Sequence, residues 1–233
     1  MARNKALAKR FARREDLGLA KSEFAILRRL DTPRKIQKFL LDLKQNFEPD
    51  GDTCRPVRVI LRERNAHCIE GAMLAACALW VHGEPPLVMD LRAVQDFDHV
   101  VALYRRNGRW GAISKTNGAG LRGRDPVYST LRELAMSYLH EYCNKRDRKT
   151  LREYSVSCDL RRFDVKLWVS GEKDAWALAE ALEDIRHFTL MSARQAKSLS
   201  RRDPFERRIG KLLQYPKPRS RRIGRGFPRK ARD

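Results

Sequence analysis

The chain has 233 residues, enough for one domain with a sizeable core and extensions and too few for two full domains. Hydrophobic residues make up 42% and charged residues 34%, which argues against global disorder. The formal net charge of +21 is uneven: residues 1–31 carry nine Lys and Arg against four Asp and Glu, residues 32–193 carry 26 against 22, and residues 194–233 carry 15 against three. The middle is close to neutral, so the basic ends are expected to contact a polyanion such as nucleic acid, the ribosome or anionic lipid.

Residues 5 to about 30 read as a charged, loosely amphipathic helix with Phe11, Leu17, Leu19, Phe24, Ile26, Leu27 and Leu30 as its apolar positions. Thr32 before Pro33 is an N-cap with proline at the first helical position. Ile36, Phe39, Leu40, Leu43 and Phe47 then share the face of a second helix ending near Asn46. Pro49, Asp50, Gly51 and Asp52 are turn chemistry, and Val57 to Leu61 is assigned to the adjoining loop. Cys68 to Val81 is apolar on nearly every side and rich in Ala, Leu and Met, the pattern of a buried central helix. It closes at Gly83, and Leu87 to Leu91 comes next as a short strand.

Asn107 and Gly108 form a two-residue hairpin turn between strands that begin at His99 and Arg109. The glycine-rich stretch 115–126 reads as a loop, with Lys115, Arg122 and Arg124 as solvated charges. Its GAGLRG matches a dinucleotide fingerprint only by its glycines. Ser129 to Tyr142 reads as a helix, Leu160 to Val169 as a strand and Lys173 to about Arg201 as a further helix with His187 on its surface. Beyond that the chain is a basic tail in which Phe205, Tyr215 and Phe227 interleave with Arg and Lys, a pattern suited to phosphate contacts and base stacking.

The five cysteines are odd in number and lack zinc spacing, so neither a structural metal nor a cofactor is expected. The N-terminal MARNKALAKRFARRED has no apolar run of signal-peptide length, and no stretch approaches the ~20 apolar residues of a membrane span. The expected setting is cytoplasmic, with reduced thiols and no transmembrane segment.

Cys68 opens the buried helix, where the helix dipole and unpaired N–H groups lower a thiol pKa. Cys77, mid-helix among alanines, reads as a small core residue, and His67 as an exposed or capping residue rather than a second base. The hairpin register sets Ala102 opposite Ile113 and Val101 opposite Ser114, and alternation then places His99, Val101, Ser114 and Thr116 on one face, with Asp98, Ile113, Lys115 and Asn117 on the other. A Ser114 hydroxyl beside the His99 imidazole is the third group that orients a catalytic base, with Asp96 and Asp98 as nearby alternatives.

A helix-borne Cys, a strand-borne His and an acceptor one strand later follow the order of the transglutaminase-like, papain-related cysteine enzymes. HCIEGAMLAACAL (67–79), DHVVALY (98–104) and RWGAISKTN (109–117) resemble them, and the segment of about residues 30–190 is similar to a bacterial transglutaminase-like family of uncharacterised role. The resemblance implies an α+β fold in which the Cys-bearing helix packs on a small antiparallel sheet between flanking helices. It implies Cys68 as nucleophile, His99 as base and Ser114 where the superfamily usually keeps aspartate. The expected organisation is a basic N-terminal helix (1–31), a transglutaminase-like domain (32–172), a C-terminal helix (173–201) and a basic tail (202–233). The expected activity is acyl transfer at a peptide or protein amide, as hydrolysis or transamidation. The competing expectation is a nucleic-acid- or ribosome-associated protein with an inactive scaffold.

Overall fold

The computed structural model describes residues 10–217. The single helix expected over 5–30 is two: α1 (Arg14–Leu17) and α2 (Lys21–Arg29). Gly18 breaks them by entering the left-handed region at φ 62, where its N–H closes the turn on the Arg14 carbonyl. Residues 5–9 lie outside the described chain. α3 (Pro33–Asp42) starts where its sequence indicates, with Thr32 Oγ1 accepting from Lys35 N.

β1 (Lys44–Gln45) leads to the 48–56 loop and then to α4 (Val57–Glu63), a segment expected as loop. Val57, Val59, Ile60 and Leu61 are all buried there. Tertiary burial overrides the weak helix propensity of this β-branched run. β2 (Asn65–Ala66) pairs in parallel with β1, Gln45 against Ala66, and delivers the chain to α5 (Cys68–Val81). From Ile69 onward every residue of α5 is buried. Its Trp80 stacks on Trp168, ring centroids 6.2 Å apart and 16° between planes. Such a pair contributes about 0.5–1.5 kcal/mol beyond its burial.

Next come β3 (Leu87–Ala93), β4 (His99–Arg106) and β5 (Arg109–Ile113), and the hairpin register is the one that Asn-Gly dictates: Arg106 faces Arg109 and Ala102 faces Ile113. Asn107 and Gly108 both take positive φ, as a type I′ turn requires. The remaining elements are β6 (Arg124–Tyr128), α6 (Leu131–Met136), β7 (Leu151–Ser155), β8 (Cys158–Asp159), α7 (Val165–Trp168), α8 (Trp176–Asp184), β9 (His187–Thr189), α9 (Ala193–Ser198) and α10 (Pro204–Gly210).

The structure corrects four further expectations. Part of the glycine-rich loop is strand β6, the 129–142 helix is only six residues long, and the 160–169 strand is a 3-10 turn leading into α7. The long helix from 173 is α8, β9 and α9, with Ile185 leaving helical geometry in an extended conformation.

The larger sheet has the order β6-β5-β4-β3-β7-β9, with β8 also on β3, and all of its pairings are antiparallel. Both faces are covered, which explains why β4 reads HVVALY without polar alternation. Val88, Val100, Ala102, Tyr104 and Ile113 face the cluster built on α5, while Met89, Leu91, Val101, Leu103 and Ala112 face Leu134, Ala135, Tyr138 and Tyr142. The fold is thus mixed α+β, an antiparallel sheet with helices flanking it. Among the described residues no helix is long and apolar enough to cross a membrane.

Candidate active site

The parallel β1–β2 ladder ends at Ala66, so His67 becomes the N-cap of α5 and Cys68 its first residue. Glu70, wholly buried, accepts from His67 N at 3.0 Å, and Asn46 Nδ2, Thr53 Oγ1 and Arg55 N also donate to its carboxylate at 3.0–3.3 Å. That network ties the 46–55 loop to the start of the helix and leaves Cys68 partly exposed.

His99, at the first position of β4 and 6% exposed, places Nε2 2.8 Å from Ser114 Oγ. Ser114 Oγ donates its one proton to the Leu121 carbonyl at 2.6 Å. The hydroxyl therefore accepts from His99, whose Nε2 carries the hydrogen, and Nδ1 is the nitrogen left for Cys68. The His99 ring lies near enough to the Cys68 thiol to lower its pKa. Cys68, His99 and Ser114, named from the sequence, thus meet at one place. Of the nearby aspartates, Asp96 holds Thr150 Oγ1 at 2.8 Å and Phe97 N at 3.0 Å, and Asp98 Oδ1 accepts from Ala93 N at 2.7 Å.

The expectation of His67 as an exposed or capping residue holds only in part. It does occupy the cap position, yet it is buried and is a second imidazole on the thiol, with Nδ1 3.9 Å from Cys68 Sγ. Its Nε2 donates to the Thr53 carbonyl at 2.9 Å and lies 3.5 Å from carboxylate oxygens of both Glu48 and Glu70. The adjacency of His67 to Cys68 is visible in the sequence. The three groups that turn its ring, 3 to 19 residues away along the chain, are not.

Burial works against the Cys68 thiolate, but hydrogen bonds from His67 and His99 and the charges of both rings outweigh it and lower the thiol to about 5. Burial likewise opposes the His67 cation, and the Cys68 bond, Glu70 and Glu48 reverse that, raising it to about 10. The other four thiols all move the opposite way. Burial pushes up Cys54, Cys77, Cys143 and Cys158.

Other charged residues also depart from expectation. Lys115 is not solvated: it is 1% exposed, its stem lies against Gly71 of α5, and Nζ donates to the Leu43 carbonyl at 2.6 Å. A Cβ at position 71 would fall 2.3 Å from the Lys115 Cβ, which accounts for a glycine inside the helix. His187 is not on a helix surface. Its ring is held between the Ile185 carbonyl (2.7 Å) and Asp90 Oδ2 (3.1 Å).

The basic C-terminal segment is docked as far as it is described, with Phe227 beyond the described residues. Arg202 and Arg207 pair with buried Asp147 at 3.1 and 2.7 Å, and Tyr215 bonds Asn117 through its backbone and the Leu41 carbonyl through its hydroxyl.

Comparison of the chain with protein-family models and with curated proteins finds no match.

Proposed function

We propose that the chain is a thiol-dependent acyltransferase of transglutaminase-like type, acting on a peptide or protein amide through a Cys68 acyl-enzyme. The observation that carries the reading is the relay at one helix terminus: a partly exposed, acidified thiol whose neighbouring His99 is oriented by Ser114. The order of the three residues on helix, strand and next strand is the one that the sequence resemblance implies.

In this mechanism Cys68 Sγ attacks the amide carbonyl carbon, and the first-turn N–H groups of α5, which have no intrahelical acceptor, stabilise the oxyanion. His99, carrying the thiol proton on Nδ1, gives it to the amine nitrogen as the C–N bond breaks. Water or an amine then attacks the thioester, His99 Nδ1 takes its proton, and the Cys68 thiolate leaves. Ser114 holds the His99 ring without adding charge.

The test is iodoacetamide labelling of the native protein across pH, with peptide mapping. Cys68 is expected to label first and below pH 7, ahead of the four thiols that burial raises. Equal rates at Cys68 and Cys143 would remove the reading.

A second reading, polyanion binding by the C-terminal segment, is favoured by the exposed face of α10, where Arg208 lies over the exposed Phe205 ring at 5.1 Å, with Lys211 exposed at its C-cap. Binding of RNA or DNA through it should weaken steeply with salt.

A further inference from the structure

We propose that His67 is a catalytic residue, the fixed positive partner of the Cys68 sulfur, and that it leaves His99 free to move protons between leaving amine and water. The proposal rests on Cys68 being the nucleophile.

The geometry divides the two imidazoles. His99 is held through Nε2 by a neutral hydroxyl, Ser114 Oγ, at 2.8 Å. His67 is held from the far side by a carbonyl and two carboxylates, with Thr53 O at 2.9 Å and Glu48 and Glu70 oxygens each at 3.5 Å. The ring nitrogen facing three oxygen acceptors carries a hydrogen, and the surrounding negative charge favours a second hydrogen on Nδ1, which faces Sγ. The Glu70 carboxylate accepts from four donors, on Asn46, Thr53, Arg55 and the His67 backbone.

Among the described residues, the charged and titratable groups around the pair include Glu48, Asp52, Cys54 and Arg55 on the 48–56 loop, Glu70 on α5, His99 on β4, and Tyr142 beneath the β3–β4 connection, where Asp90, Asp96 and Asp98 act on it. Arg55 is the cation, with Nε 4.0 Å from Glu70 and a guanidinium nitrogen on Asn65. Glu48 and Glu70 thus place two carboxylates behind the His67 ring.

The protons balance without His67, which donates none in the cycle. It stabilises sulfur as a thiolate when it attacks and again when it leaves the thioester, while the one transferred proton passes from His99 to the amine and from the incoming water to His99.

The experiment is the pH dependence of Cys68 alkylation by iodoacetamide in the wild type, His67→Gln, Glu48→Gln and His99→Gln, with imidazole 15N shifts of the wild type. His67→Gln is expected to move the labelling midpoint up by at least two pH units. Glu48→Gln, which spares the helix cap, should move it the same way by less, and His67 should read as doubly protonated at pH 8 in the wild type. A His67→Gln or Glu48→Gln profile superimposable on the wild type, or a neutral His67 at pH 8, overturns the proposal while an acidic Cys68 stands. An ordinary Cys68 thiol in the wild type overturns the nucleophile itself. Folding failure of His67→Gln leaves Glu48→Gln and the wild-type spectrum to decide.

Discussion

Gln37 clamps the peptide group of Ser114 from α3: Nε2 donates to the Ser114 carbonyl at 2.8 Å and Oε1 accepts from the Ser114 N–H at 2.9 Å. The hydroxyl that orients His99 is therefore positioned by a residue 77 places earlier in the chain. Gln37→Leu removes both bonds beside a fully buried residue, which costs about 1–3 kcal/mol. The expected result is a lower midpoint in denaturant together with slower Cys68 labelling, whereas a stability loss with an unchanged labelling rate would separate Gln37 from the site.

Ser114 itself must accept from His99 and donate to Leu121 O, which decides among its substitutions. Ser114→Ala loses the acceptor and should slow labelling. Ser114→Asp sets a carboxylate against the Leu121 carbonyl and is expected to lose stability rather than gain thiolate. An amide side chain can serve both partners, so Ser114→Asn should retain more reactivity than either, less about 1–3 kcal/mol for the added volume. Faster labelling in Ser114→Asp than in the wild type would contradict this wiring.

The C-terminal segment gives a stability prediction. A chain ending at residue 217 keeps the described contacts and serves as the reference. Ending the chain at residue 200 removes Arg202 and Arg207 from Asp147, which is 7% exposed, and Tyr215 from Asn117 and Leu41. An uncompensated buried carboxylate costs about 1–3 kcal/mol, several degrees of Tm at this size. Asp147→Asn in the shorter chain should recover part of it; the same Tm for both truncations would show that the docking contributes nothing.

Lys115 offers a pH test. Burial, with Arg122 adding to it, lowers its ammonium to about 8 from an ordinary 10.5. Between those values the unfolded chain binds the proton and the folded chain does not, so the cost to stability is full below about 8 and fades as pH rises to 10.5. Lys115→Met lacks that cost. The stability of Lys115→Met relative to wild type, read by urea denaturation, should fall as pH rises from about 7 to about 10.5; a difference independent of pH would mean that the ammonium is solvated.

The legible part of the sequence is local. Cys68 to Val81 forms a helix of those bounds because its apolar run is long and Pro85 and Pro86 keep it from extending, and Asn107-Gly108 fixes a register by itself. The meeting of His99 with Ser114 is readable because both hang from that hairpin. The surroundings of His67 are not, since Glu48 and Thr53 reach it through a loop with no periodic signal. Helix α4 escapes a sequence reading because its β-branched residues are helical only through burial. The break at Ile185 escapes it because His187 is drawn into strand pairing by Asp90, almost a hundred residues earlier.

Sheet order also bears on how these molecules behave toward one another. The sheet ends at β6 on one side and at β9, three residues long, on the other. β6 carries Arg124 and Asp125 and, in its middle, Pro126, which has no N–H to offer an incoming strand. A chain adding itself to that border would find a gap in the ladder and two charges beside it, so edge-to-edge polymerisation is blocked where an otherwise flat border would template it. Pro126→Val removes the gap, and concentrated solutions of that variant should form fibrils more readily than those of the parent.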